Sequence, residues 1–429
     1  MNTSRRLFLR NGGIALAALG AGAAFDAGLL GRVACAAEAA GGARKKVLIC
    51  IFQRGAVDGL SMVVPHGDRA YYQHRQEIAI PRPARAAGAE AALDLDGFFG
   101  LHPALDAFLP LFKSGQLAAI HACGSPSSSR SHFDMQDFME SGVVDDKHIS
   151  TGWLNRALAQ RQLAKSSPFR AVSMTSIVPR SLQGDADALA IRDLATFGVN
   201  ASRSAGGANM AAGFEGIYDS AVGDVLRGTS KESFNAIALL KKADPTQYAP
   251  AHGAKYPDGA FGHALLQVAQ LIKADVGLEV AFVEVDGWDT HVNQGGANGL
   301  LAGRLHDFSR AIAALYYDLG DKMSDVLLLT MSEFGRAARQ NGNRGTDHGH
   351  ANAFFALGGA VRGGKVLADW PTLAPERLFE QRDLAVTTDF RDVFAEACVR
   401  HLGISAADMP AVLPGHRVEA DKFRGFLKR

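Results

Sequence analysis

The sequence predicts an α/β protein built on a doubly wound, mostly parallel sheet with helices on both faces. Short, continuous apolar runs recur along the chain, with amphipathic helical patterns between them. Such runs mark strands buried on both faces, as in parallel sheets whose crossover helices cover each side. A further observation is where the runs stop: three pass straight into acidic residues or histidines. In sheets of this kind, ligands gather beyond the carboxyl ends of the strands.

The first segment is set apart from the fold. Ser4-Arg5-Arg6-Leu7-Phe8-Leu9-Arg10 is basic, Gly12 to Phe25 is almost wholly Ala, Gly and Leu, and Ala34-Cys35-Ala36 fits a small-x-small cleavage site. Residues 1–36 therefore read as a twin-arginine signal peptide. The expected partner in export is the Tat translocase, and the mature chain is expected to be periplasmic or secreted. The apolar run is short and Gly/Ala-rich, so no membrane span is expected in the mature chain. An uncleaved anchor and lipidation of Cys35 are the alternatives. Residues 45–429 read as a single domain, with an insertion admitted at about 151–256.

The strands expected in order are Val47–Phe52, Leu117–His121, Leu278–Val285, Val326–Met331 and Ala353–Leu357. Helices are expected at Pro103–Phe112, at His132–Met139 with Ser131 as cap, at Phe261–Ile272, at Leu305–Leu319 and at Phe390–Leu402. Gly403 is placed to end the last of these. Cys50, Cys123 and Cys398 lie far apart without C-x-x-C spacing; Cys50 and Cys123 are expected to be buried thiols, and one disulfide is admitted. With 45 Lys+Arg against 44 Asp+Glu, charge gives no reason to expect nucleic acid as partner.

The polar clusters carry the chemistry. Beyond the first strand, Asp58-Gly59 is either a tight turn or a cation ligand. After Val285, Asp289 and His291 stand two apart, so in extended backbone both face one side. Carboxylate with imidazole suits a divalent ion such as zinc or manganese. After Met331, Glu333 is either a ligand or the partner of Arg336. Thr346-Asp347-His348-Gly349-His350 is the densest cluster, with two imidazoles and a carboxylate beside a glycine that permits unusual backbone angles. Ser131 stands before a helix, as its cap or as a hydroxyl nucleophile. These are the parts of a site in which one or two divalent ions activate water or a serine against an ester.

At the same residues the chain resembles the DUF1501 family of exported proteins. The resemblance rests on Arg54-Gly55-Ala56-Val57-Asp58-Gly59-Leu60, Arg130-Ser131-His132-Phe133, Gly287-Trp288-Asp289-Thr290-His291, Ser332-Glu333-Phe334-Gly335-Arg336 and Thr346-Asp347-His348-Gly349-His350. That family is itself similar to the alkaline phosphatase and sulfatase superfamily. The similarity implies an alkaline phosphatase-like sheet with a metal site at its C-terminal strand edge. It also implies that Asp58 is the first-strand aspartate, that the nucleophile falls near Ser131, and that Asp289 and His291 hold one metal. The late histidine matches His348 or His350. The chain departs from the superfamily at Glu333-Phe334, where Asp-His is usual; Phe334 cannot ligate, so one metal position is weakened or rebuilt with Asp347.

The function this implies is an exported metal-dependent hydrolase of phosphate or sulfate esters. It would take a small anionic ester as substrate and zinc, manganese or calcium as cofactor. The metal would be held among Asp58, Asp289, His291, Glu333, Asp347, His348 and His350, with Ser131 as nucleophile. Two alternatives remain: a non-catalytic metal- or ligand-binding protein that keeps the fold, and an assembly partner of another exported protein.

Overall fold

Val47–Gln53 (β1) is seven residues without an exposed side chain, and the period of two sorts them. Val47, Ile49 and Ile51 enter one apolar layer, and Leu48, Cys50 and Phe52 the opposite one. A strand buried on both sides belongs in the middle of a covered sheet, and that is where β1 lies. The computed structural model describes residues 46–83, 85–161, 167–195 and 248–428. The predicted signal segment, Cys35 and a large part of the admitted insertion lie outside the described residues.

The main sheet comprises β1, Leu117–Gly124 (β2), Ala171–Ser173 (β3), Leu189–Ala190 (β4), Val280–Val285 (β5), Val326–Met331 (β6), Asn352–Gly358 (β7), Lys365–Leu367 (β8) and Thr388–Asp389 (β9). Its order is β8-β2-β7-β6-β1-β5-β3-β4, with β9 also beside β2. β1 is parallel to β5 and β6. β7 runs antiparallel to both β6 and β2, so it is the one reversed strand in an otherwise parallel sheet. The expected fold class, a mostly parallel α/β sheet, is therefore the one found.

Helices cover both faces. Phe108–Lys113 (α1), Ala260–Lys273 (α4) and Leu300–Leu319 (α5) supply buried apolar residues to the layer that holds Ile49 and Ile51. Trp153–Ala159 (α3) and Phe390–Glu396 (α6) supply the other. Between them in the chain, His132–Ser141 (α2) starts at the sheet edge. The helix expected at Pro103–Phe112 is broken into a 3-10 turn, Pro103–Leu105, and α1. Pro110 has no N–H to donate to Asp106, which denies the helix its bond across the break. The last helix widens into a π turn at Ala397–His401 and stops before Gly403, whose φ is +72°. Cys50, Cys123 and Cys398 are buried and free, so the admitted disulfide does not form. Burial pushes the Cys398 thiol up to about 12, which leaves it inert at neutral pH. Among the described residues no helix is long and apolar enough to cross a membrane.

This topology positions the site. The parallel strands β1, β2, β5 and β6 all end at one edge, and reversed β7 begins there. The segments after Gln53, Gly124, Val285 and Met331 and the segment before Asn352 therefore share a rim. Each of the polar clusters predicted from sequence falls on one of these five segments.

Candidate metal centre

His132 is the first residue of α2, and Ser131 is the N-cap, its Oγ accepting from the Asp134 N–H at 3.4 Å. The cap fixes the first turn, and His132 then projects toward the strand ends. Its Nδ1 meets Glu333 Oε1 at 2.8 Å. A carboxylate accepts only, so Nδ1 donates. Glu333 is completely buried and also receives the Gly55 N–H and the Gln136 amide, each at 2.8 Å. Burial alone would raise its pKa, but these donors hold it below the usual carboxylate range. The hydrogen bond that His132 donates to Glu333 in turn raises the His132 pKa.

The other two imidazoles repeat the pattern. His291 Nδ1 lies 3.2 Å from Asp347 Oδ1, and His348 Nδ1 lies 3.0 Å from the Arg130 carbonyl oxygen. Both partners are acceptors, so both Nδ1 atoms carry the proton. With all three Nδ1 atoms engaged, the neutral rings present Nε2 lone pairs, and these converge. His348 Nε2 is 3.0 Å from His132 Nε2 and 3.0 Å from His291 Nε2. Asp289 closes the group: its Oδ1 is 3.1 Å from His291 Nε2 and 3.3 Å from His348 Nε2, and its Oδ2 is 3.6 Å from His132 Nε2. Ligands on a tetrahedral ion with bonds of 2.0–2.1 Å stand about 3.3 Å apart. The separations among His132, His348 and Asp289 fit that geometry, and His291 flanks them beside His348 and Asp289.

Asp289 is also bonded by Arg336. Burial alone would raise the Asp289 carboxyl, but that guanidinium holds it below its usual range. Arg336 is itself pinned by the Ala56, Thr346 and Trp288 carbonyls, so it does not pair with Glu333 as the sequence allowed. Asp289, Glu333 and Asp347 against Arg336 leave an excess of two negative charges on the groups touching the rings. A divalent ion matches that excess. Phe334 is buried beneath the cluster, its ring 5.0 Å from both His132 and His348. It holds the two imidazoles from below and donates nothing.

Four predicted residues stand elsewhere. Asp58 is fully buried in a two-pronged ion pair with Arg75, Oδ2 to Nη1 at 2.6 Å and Oδ1 to Nη2 at 3.0 Å. Ser61 and Gln294 each add a bond to Oδ2 at 2.7 Å. That environment keeps it ionised against the cost of burial and supplies its counter-charge from within the protein. His350 turns away: its Nε2 donates to the Ser127 carbonyl at 3.1 Å and its ring stacks on Phe379 at 4.1 Å. Burial lowers its pKa to about 4. Glu333 reaches the cluster only through His132, and Asp347 only through His291. Gly349 does not adopt the left-handed conformation expected of it; a Cβ there would lie 2.3 Å from the Arg336 backbone, so the requirement is close approach. Gly55 has both constraints, with φ +108° and a Cβ position 2.8 Å from the Asp289 nitrogen.

The residue that sequence reasoning missed is His132. It stood inside the Arg130-Ser131-His132-Phe133 motif, but the hydroxyl drew the chemical assignment. Gln294 was missed too. Its Oε1 receives the Thr290 and Thr346 hydroxyls at 2.7 and 2.8 Å, and its amide reaches Asp58. It thus ties together the two loops that bring Asp289, His291 and His348.

The structure therefore defines an α/β protein with a three-histidine, one-aspartate cluster at the strand ends. Residues 45–413 match the family described as "Protein of unknown function (DUF1501)", and the chain belongs to that family. None of the curated protein sequences matches it. Among solved structures it is similar to the PsFucS1 sulfatase from Pseudoalteromonas sp., at 11% identity and a TM-score of 0.40, covering 90% of this chain and 74% of that one.

Proposed function

We propose that this chain is exported and hydrolyses phosphate or sulfate esters at a single divalent-metal centre formed by His132, His348 and Asp289, with His291 beside it. The observation that supports the reading is that ligand atoms of His132, His348 and Asp289 lie within 4.8 Å of one another, with the Nδ1 atoms of both rings held by acceptors. Without a shared cation or proton their Nε2 lone pairs repel, and metal-ligating histidines use this outer hydrogen bond to fix their tautomer. Imidazole with one carboxylate suits zinc or manganese; calcium takes six to eight oxygens and fits the set poorly. A bound divalent ion would polarise an ester oxygen and ease deprotonation of water near neutral pH.

The protein's own groups do the rest. Glu333, Asp347 and the Arg130 carbonyl orient the three rings, Arg336 keeps Asp289 ionised, and Phe334 closes the inner side against water. Asp289 is 43% exposed, so the outer side is open to substrate. Ser131 is used as a helix cap, which favours water over the serine as nucleophile. Export rests on Arg5-Arg6 and the apolar run that follows.

The test is the zinc- or manganese-loaded, exported chain against 4-nitrophenyl phosphate and 4-nitrophenyl sulfate. Hydrolysis lost in His348→Ala and Asp289→Ala but kept in Ser131→Ala supports the proposal. Loss in Ser131→Ala returns the nucleophile to the serine. A second reading, a metal-binding protein without turnover, is favoured by the closure of Asp58 on Arg75 and by Phe334, which leave room for one ion at most. Bound metal with no hydrolysis of any ester would select it.

A further inference from the structure

Asp347, which orients His291, also lines a pocket of about 220 Å³. Its other walls include Arg339, Gln340, Leu378, Gln381 and Arg382. The volume is below the roughly 300–1,000 Å³ of sites for drug-sized ligands, so the pocket takes one small group. The lining sets the chemistry of that group. Two guanidiniums face one carboxylate, and that carboxylate is already engaged by His291 and by the Asn341 amide at 3.0 Å. Among the described residues the Arg339 guanidinium has no hydrogen-bond or ion-pair partner. A guanidinium free to offer its fork matches a carboxylate or another planar oxyanion.

The pocket is joined to the metal centre by more than Asp347. Arg382 donates to the His348 carbonyl at 2.7 Å. Arg130, whose own carbonyl orients His348, is bonded to Glu380 at 2.7 Å and to Asp383 at 2.6 Å. The segment Leu378 to Asp383 is therefore fastened to the site from both sides. Within it Glu380 and Gln381 have φ of +50° and +55°, two successive non-glycine residues in the left-handed region. Such strain persists where surrounding bonds impose it, and it clusters at ligand sites.

We infer that this pocket is a subsite for a second, non-reacting anionic group of the substrate, a carboxylate held by Arg339 with Arg382 at its side. The inference rests on the proposed hydrolase site and narrows its substrates to esters that carry a further carboxylate. The experiment is calorimetric titration of the zinc-loaded chain with propylphosphonate and with 4-phosphonobutanoate, which differ by the carboxylate. Both offer a phosphonate to the metal centre. The expected result is about tenfold tighter binding of 4-phosphonobutanoate, the scale of one charge-assisted hydrogen bond. In Arg339→Gln the preference should vanish while propylphosphonate binding is unchanged. Arg339 is an exposed hairpin residue, so the variant should fold. Equal binding of the two compounds, or a preference that survives Arg339→Gln, overturns the subsite while leaving the metal centre intact. Failure of propylphosphonate itself to bind sinks the hydrolase site, and the subsite with it.

Discussion

Asp58 and Asp289 follow neighbouring strands and stand on the same rim, yet the fold treats them as opposites. Asp58 is buried, and Arg75, Ser61 and Gln294 supply donors to its oxygens. Asp289 is half exposed and faces three imidazole nitrogens that present lone pairs. A carboxylate at a strand end is thus not itself a sign of chemistry. What decides is whether the protein supplies its counter-charge or leaves that charge to come from solution.

The largest effect should come from breaking the closed pair. Asp58→Ala leaves the Arg75 guanidinium buried without its partner, which should cost about 3–5 kcal/mol by denaturant unfolding. Metal content of the fraction that folds should be unchanged. A loss of metal with little loss of stability would mean that Asp58 belongs to the open cluster after all. Next comes His348→Ala, which removes a ligand and should weaken zinc binding by more than about 100-fold, beyond the loss typical of an orienting partner. Its unfolding midpoint without metal should move little, because the ring is partly exposed. Glu333→Gln keeps the shape but weakens the hold on His132, and should cost about 10–100-fold in metal affinity, read by competition with a chelator.

The smallest effect is the pH dependence of the closed pair. Asp58 titrates below its usual range in the folded chain. Its stabilisation is therefore complete above the unfolded value of about 3.9 and is lost as pH falls through the lower, folded value. Acid unfolding curves of wild type should show this limb, and Asp58→Asn should lack it. A limb unchanged in Asp58→Asn would assign the acid sensitivity to other carboxylates.

Much of the fold was legible because buried parallel strands are apolar from end to end. Val326–Met331 was found with both ends correct, and Ser131 caps α2 as read. The short strands Ala171–Ser173 and Leu189–Ala190 gave no such signal, since three or two residues are too few to show a period. At the site, Asp289, His291 and His348 could be singled out because imidazoles and carboxylates concentrate at strand ends. Arg75 could not, because its partnership with Asp58 depends on a helix folding back across 17 positions. His350 misled because closeness to His348 in sequence does not fix the direction of its side chain. The strand ends at His348, and the chain turns before His350.

One ion should sit among His132, His348 and Asp289. Elemental analysis of the natively exported chain tests it directly, with His348→Ala and His350→Ala prepared alongside. One zinc or manganese per chain is expected in wild type and in His350→Ala, and none in His348→Ala. A metal-free wild type, or a His348→Ala variant that keeps its ion, would contradict the account.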